Sequence, residues 1–287
     1  MKALLLILLV GLCLPVFAVP EIVYYPRPAT VTDRRSEYPL ELLKRALALS
    51  GRQYYLRPSK QRYPQSEALK QLNLGDRIDV VWSMTSEERE QRYRPVRIPI
   101  YQGLIGWRVF LIQQERAKEI GALAELETLR GYQMVQGFDW PDRVILEANE
   151  IRVIPAQKYE DNFIALRTGE AELFPRSVIE VWGELTRYEN RGLQIDNTHL
   201  LIYPTAAYYF VAADNERLAR DIKVGLEMMI EIGEYRCLLL EYFGELLQKA
   251  ELNKRVVHAL NNPLLPPKTP LARRELWFRT YSTLDCR

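Results

Sequence analysis

Short apolar runs alternate with amphipathic stretches along most of this chain. Ile22 to Tyr25 is an apolar run closed by Pro26-Arg27-Pro28. From Leu40 to Leu49 the residues Leu42, Leu43, Ala46, Leu47 and Leu49 share one helical face, and Gly51 ends it. Tyr54 to Leu56 reads as a second strand, Ser66 to Leu74 as a helix stopped by Gly75, and Ile78 to Trp82 as a third strand. Leu104 to Ile112 is a strand-like run after a Pro-punctuated connection.

The middle of the chain repeats the arrangement. Leu123 to Leu129 leads to Gly131, a strand from Tyr132 to Gln136, and a helix from about Asp142 to Ala148 behind Pro141. Ile151 to Ile154 and Glu172 to Phe174 read as strands around a helix from Tyr159 to Thr168. Leu200 to Tyr203 and Tyr208 to Val211 are strands, followed by a long helix from Asn215 to Ile232. This order predicts an α/β protein with mostly parallel sheets wrapped by helices. After Leu247 the pattern fades: Asn261-Asn262-Pro263, Pro266-Pro267 and Pro270 mark an extended segment, and Leu271 to Tyr281 fits a last short helix or a strand, the whole read as a surface-docked tail packed on the body.

Ligands of open α/β sheets sit beyond the carboxyl ends of strands. That rule selects Tyr24, Tyr25 and Arg27; Ser83, Thr85 and Ser86; Gln136, Gly137, Asp139 and Trp140; and Pro175, Arg176 and Ser177. Small polar residues after a strand, with Arg89 three residues beyond Ser86, form a means of holding a carboxylate. Helix-start N–H groups carry partial positive charge, and a guanidinium is a two-pronged, permanently charged donor.

Asp79, Ser86-Glu87-Glu88-Arg89, Pro99 and Tyr101 resemble the signature of the family 3 bacterial extracellular solute-binding proteins. There a Thr-Pro-Glu-Arg step follows an Asp-bearing strand and precedes a Pro-Tyr segment; the Thr and Pro of the step are replaced here. The resemblance covers roughly Ile22 to Leu247 and implies a two-lobed, type II periplasmic binding protein-like fold, each lobe a mixed sheet flanked by helices. It places lobe 1 at 19–107 and 203–250, lobe 2 at 108–202, and a C-terminal extension at 251–287. The chain would cross between lobes near Gly106 to Ile112 and again near Leu193 to Tyr203.

Arg89 is the strongest single candidate: the arginine of this step binds the ligand's α-carboxylate in the family. The alternative is a surface arginine among Glu87, Glu88, Glu90 and Arg92. The ligand-binding set implied is Tyr24, Arg27, Ser83, Thr85, Arg89, Tyr101, Gly137, Asp139, Trp140 and Arg176. Two departures stand out. Asp139 and Trp140 occupy the place of a Gly-Ser/Thr turn, where Asp139 is either a ligand contact or the helix N-cap. Gly169-Glu170-Ala171-Glu172-Leu173 preserves half of the Gly-Arg-x-Asp-Ala pattern, but Pro175-Arg176-Ser177 follows where an ammonium-binding Asp is expected. Arg176 either faces the cleft, adding positive charge, or pairs on the outside with Glu172 or Glu180.

Lys2, the apolar core Leu4 to Val10 and Val16-Phe17-Ala18 read as a secretory signal peptide over residues 1–18, with Leu12 spoiling a lipoprotein site at Cys13. The expectation is a periplasmic protein beginning at Val19. Cys237 and Cys286 leave a disulfide open either way. Two histidines and these cysteines lack zinc spacing, and the net charge of +2 makes no case for nucleic acid. No nucleophile elbow, P-loop or zinc-protease motif is present in the sequence, so no enzyme and no cofactor is expected. The partners implied are a small-molecule solute and a transporter permease or sensor kinase of the inner membrane, with the protein a monomer. The readings kept beside transport are an exported sensor or regulatory domain and an exported enzyme.

Overall fold

The computed structural model describes residues 20–28, 34–74, 78–188 and 192–279. The proposed signal peptide and Cys286 lie outside the described residues. The chain opens with β1 (Glu21–Tyr25), α1 (Glu37–Leu49), β2 (Tyr54–Pro58), α2 (Gln65–Leu72), β3 (Val81–Met84), α3 (Glu87–Arg92) and β4 (Arg94–Val96). The middle holds β5 (Trp107–Gln113), α4 (Ala117–Gly121), α5 (Leu126–Arg130), β6 (Met134–Gly137), α6 (Pro141–Ala148), β7 (Val153–Ala156), α7 (Tyr159–Thr168), β8 (Phe174–Ser177) and α8 (Val181–Tyr188). The last part holds β9 (Leu193–Ile195), β10 (His199–Ile202), β11 (Ala207–Val211), α9 (Glu216–Glu231), α10 (Glu234–Lys249) and β12 (Val256–Ala259).

Two strand networks result. In the first, β1 and β2 pair in parallel, and the Tyr24 carbonyl accepts from the amides of Asp79 and Val80 just before β3. β11 lies between β3 and β4, antiparallel to both. In the second, the order is β12-β10-β5-β8, with β9 also on β5, and β6 pairs in parallel with β7. Val135 donates to the Leu173 carbonyl, which links β6 to the chain entering β8. β5 explains its apolar run: Val109 and Leu111 pack into one core cluster, Phe110 and Ile112 into another, so both faces are buried.

The connections between the networks are 97–106, leading into β5, and 203–206, leading out of β10. β5 and β10 are antiparallel neighbours, with Leu201 opposite Arg108 and Ile202 opposite Trp107. The amide of Tyr203 donates to the Gly106 carbonyl, and that of Ile100 to the Ala207 carbonyl. Helix α1 buries Leu42, Leu43, Ala46 and Leu47, as its spacing predicts, while Leu49 is only half-buried. It meets α9 so closely that a Cβ on Gly225 would lie 1.8 Å from the Ala46 carbonyl oxygen, so only glycine fits.

Several strands sit two or three residues later than their apolar runs suggest: Val81–Met84, Val153–Ala156 and Phe174–Ser177. Pairing decides the ends. Ser83 lies opposite Tyr208, and Arg176 and Ser177 lie opposite Val109 and Arg108, so polar residues continue the ladder. The C-terminal segment packs on the body and, beyond the docked tail its sequence suggests, adds a strand to a sheet. β12 adds in parallel to β10, and Asn261 and Asn149 exchange hydrogen bonds (Asn261 N to Asn149 Oδ1, 3.0 Å; Asn149 Nδ2 to Asn261 O, 2.8 Å). Further on, Arg273 forms a two-pronged pair with Glu227 of α9 at 2.8 Å, and Phe278 donates to the Gln102 carbonyl. The segment therefore ties the second network back to the first. No helix among the described residues is long and apolar enough to cross a membrane.

Candidate functional site

The first wall of the site grows from the turn after β3. Ser86 caps α3: its Oγ accepts from the Arg89 amide at 3.2 Å. That places Arg89 in the first turn, and its side chain folds back over the strand end. Nη1 donates to Ser83 Oγ at 2.7 Å and to the Met84 carbonyl at 2.6 Å. Nε and Nη2 have no hydrogen-bond partner among the described residues, and no carboxylate there forms an ion pair with the group. Burial pulls the Arg89 pKa below its ordinary value, with Asp139 the largest opposing influence. Asp139 follows β6 in the second network, so the two networks face each other here.

Thr85 stands in the same wall but is spent internally. Its Oγ1 donates to Glu90 Oε1 at 2.8 Å, and its amide donates to the Ala206 carbonyl. Tyr24 donates its amide to Asp79 Oδ2 at 2.7 Å. Arg27 donates from Nε to the Ser59 carbonyl at 2.7 Å, so its guanidinium braces a neighbouring loop. Tyr101 packs on Tyr38 with ring centres 5.5 Å apart. Burial and then the charge of Glu180 raise its phenol pKa, which puts Glu180 within electrostatic reach across the gap.

The second wall is built on β6, β8 and α8. A Cβ on Gly137 would fall 2.6 Å from the Trp140 ring, so glycine lets Trp140 fold onto the end of β6. The ring then stacks on Phe174 at 6.4 Å and covers Arg176, whose Cζ lies 4.8 Å from its centre. The capping position of α6 is Trp140, without a side-chain cap bond, so the N-cap reading of Asp139 is corrected.

The reading of Arg176 as a surface residue is corrected too. Arg176 is 3% exposed and clamped by Glu184, with Nε to Oε2 at 2.7 Å and Nη2 to Oε1 at 2.6 Å. Of the two acids named for it, Glu180 does pair with it, Oε2 to Nη2 at 3.2 Å, but at a buried guanidinium and not on the outside, while Glu172 binds Arg116 instead. Burial opposes the Arg176 charge, but Glu180 and Glu184 outweigh that and hold the guanidinium charged. Glu184 is held below the ordinary carboxylate range: burial alone would raise it, and Arg176 outweighs burial. Tyr159 donates to Glu184 Oε1 at 2.7 Å, and Arg35, just ahead of α1, lies over the Tyr159 ring at 5.0 Å.

The motifs did not point to Arg108, which is 2% exposed in β5. Its Nε donates to Tyr203 Oη at 2.9 Å, its Nη2 pairs with Asp142, and Tyr203 donates to Asp142 in turn. A charged residue inside an otherwise apolar strand was the available signal. Among the described residues, no group of three or more His, Cys, Asp or Glu could hold a metal ion.

No family model matches the chain, and no curated protein matches it in sequence. Solved structures do match. The GluR0 ligand-binding core from Nostoc punctiforme, in complex with L-glutamate, is 16% identical with a TM-score of 0.55, over 78% of this chain and 99% of that one. A probable amino-acid ABC transporter extracellular-binding protein from Bacillus subtilis is 15% identical with a TM-score of 0.61, over 79% and 99%. A histidine kinase sensor domain with similarity to periplasmic binding proteins is 16% identical with a TM-score of 0.56, over 78% and 96%. The chain has the two-lobed α/β fold of the type II periplasmic binding proteins.

Proposed function

We propose that this protein is a divergent solute-binding protein that takes a small carboxylate-bearing solute between its lobes and presents it to a membrane transporter. In this reading lobe 1 comprises residues 19–107 and 203–250, and lobe 2 comprises 108–202. The protein works in the periplasm after signal-peptide removal, as a monomer, and performs no catalysis. The observation that carries the reading is Arg89. Its guanidinium is oriented by Ser83 and Met84 through one nitrogen, leaving Nε and Nη2 for an anion. A carboxylate there would form charge-assisted, two-pronged hydrogen bonds, worth about 1.5–3 kcal/mol each. Trp140 and Tyr101 supply apolar surface for the rest of the solute. Closure on the solute would create the shape a partner recognises.

A thermal-shift screen of small amino acids and organic acids tests the reading. A solute at 100 times its Kd adds about 2.7 kcal/mol of stability. The shift should disappear in Arg89→Ala. A solute that stabilises both proteins equally would place binding elsewhere.

A further inference from the structure

The two arginines deepest in the second wall stand side by side and carry three carboxylates between them. Two of these are firmly placed: Glu184 clamps Arg176 through both oxygens, and Asp142 pairs with Arg108 and Tyr203. Both of these acids are nearly buried, with side chains 6% and 7% exposed. The third, Glu180, is held differently. Its Oε2 lies 3.2 Å from Arg176 Nη2 and 3.6 Å from Arg108 Nη1, and its side chain is 23% exposed. It is the loosest and most open of the three, and it bridges both guanidiniums with one oxygen. Its charge also reaches Tyr101, in the connection that leads into β5.

We propose that Arg108 and Arg176 form a second anion subsite of the cleft, and that Glu180 occupies it as a displaceable internal stand-in for a ligand carboxylate. The inference rests on the solute-binding reading and names its substrate class: a dicarboxylate, with one end at Arg89 and the other at the arginine pair. Without Glu180, each guanidinium keeps its own bonded acid, so the cluster stays balanced with one cationic face uncovered. A ligand carboxylate arriving there restores the charge that Glu180 withdraws. The exchange is therefore close to even in electrostatics. The tethered group, however, acts at an effective concentration on the order of millimolar. In the parent protein Glu180 thus sets an affinity threshold against dicarboxylates.

The test is isothermal titration of the parent and Glu180→Gln with succinate, glutarate and adipate, and with butyrate as the monocarboxylate control. Glutamine keeps the shape and removes the competing charge. At least one dicarboxylate should bind Glu180→Gln tenfold or more tightly than it binds the parent, with butyrate unchanged. Glu180→Ala should show the same gain, which excludes a new contact made by the amide. A Glu180→Gln protein that gains affinity for none of the three, or gains equally for butyrate, overturns the proposal. Repeating the titration with Arg89→Ala added separates the two readings. Dicarboxylate binding that survives there keeps the arginine-pair subsite and removes Arg89 from the ligand.

Discussion

Arg89, in the first turn of α3, and Arg176, in β8, are both sheltered guanidiniums in facing walls, yet they are held by counter-groups of opposite kinds. Arg89 is held by a hydroxyl and a backbone carbonyl, neutral acceptors that orient it without cancelling its charge. Arg176 is locked by the two oxygens of Glu184 and covered by an indole. A cation aimed with dipoles keeps its charge for a visitor, while a cation bound by carboxylates is tied into the framework and takes a ligand only where one of its acids can move aside. The identity of the counter-group, more than burial, separates an open anion site from one that an internal carboxylate already fills.

Breaking the framework side should give the largest effect. Arg176→Ala leaves Glu184 buried with its main partner gone, and should cost about 3–5 kcal/mol in denaturant-unfolding experiments. Replacing both residues with apolar ones of similar volume should recover most of the loss. Arg89→Ala should instead weaken solute binding by about one to two orders of magnitude, with an unfolding change near 1 kcal/mol. Equal stability losses at the two positions would erase the distinction between the walls.

Acid sharpens the contrast. Glu184 has a folded pKa below its ordinary 4.5, so its contribution is present above 4.5 and is lost as pH falls through the folded value. The second wall should loosen in that range, seen as falling stability in acid, and Glu184→Gln should flatten the profile. Arg89 stays protonated over the whole range and should add no such dependence.

A smaller pH effect belongs to the C-terminal strand. His199 Nδ1 and His258 Nε2 stand 3.1 Å apart, and His199 Nε2 faces the Ile120 carbonyl at 2.9 Å. Burial, and then the charge of His199, lower the His258 pKa below its ordinary 6.5, with Asp196 and Glu125 opposing. The folded state thus favours neutral His258 while the unfolded chain takes up protons. Stability is fully present above 6.5 and is lost as pH falls towards the lowered value. Hydrogen exchange should show the β12 amides losing protection first in this window, and His258→Phe should remove the dependence.

Much of the architecture was legible because it rests on local pattern. The face of α1 and the Ser86-to-Arg89 spacing both act within a few residues. What escaped depends on partners distant in sequence or across a turn. Glu184 reaches Arg176 only because the chain reverses between β8 and α8, an eight-residue separation that no helix or strand period marks. Arg108 looks like a charge misplaced in an apolar strand until Asp142 and Tyr203 meet it. β12 has exposed Val256 and Val257, so its own sequence does not announce that its edge completes a sheet.

That completion has a consequence for how the molecule is made. β10 pairs antiparallel with β5 on one edge and parallel with β12 on the other, so the central sheet joins segments from 107 to 259. Pairings this far apart are slow, because loop closure must precede any reward from contact. While the C-terminal residues are still being delivered, β10 presents an open edge of hydrogen-bonding groups. Docking of β12 covers that edge and brings with it the Asn261 and Arg273 ties to the two strand networks. Chains held back before this step would be the ones prone to self-association, and the ones a holding chaperone would find.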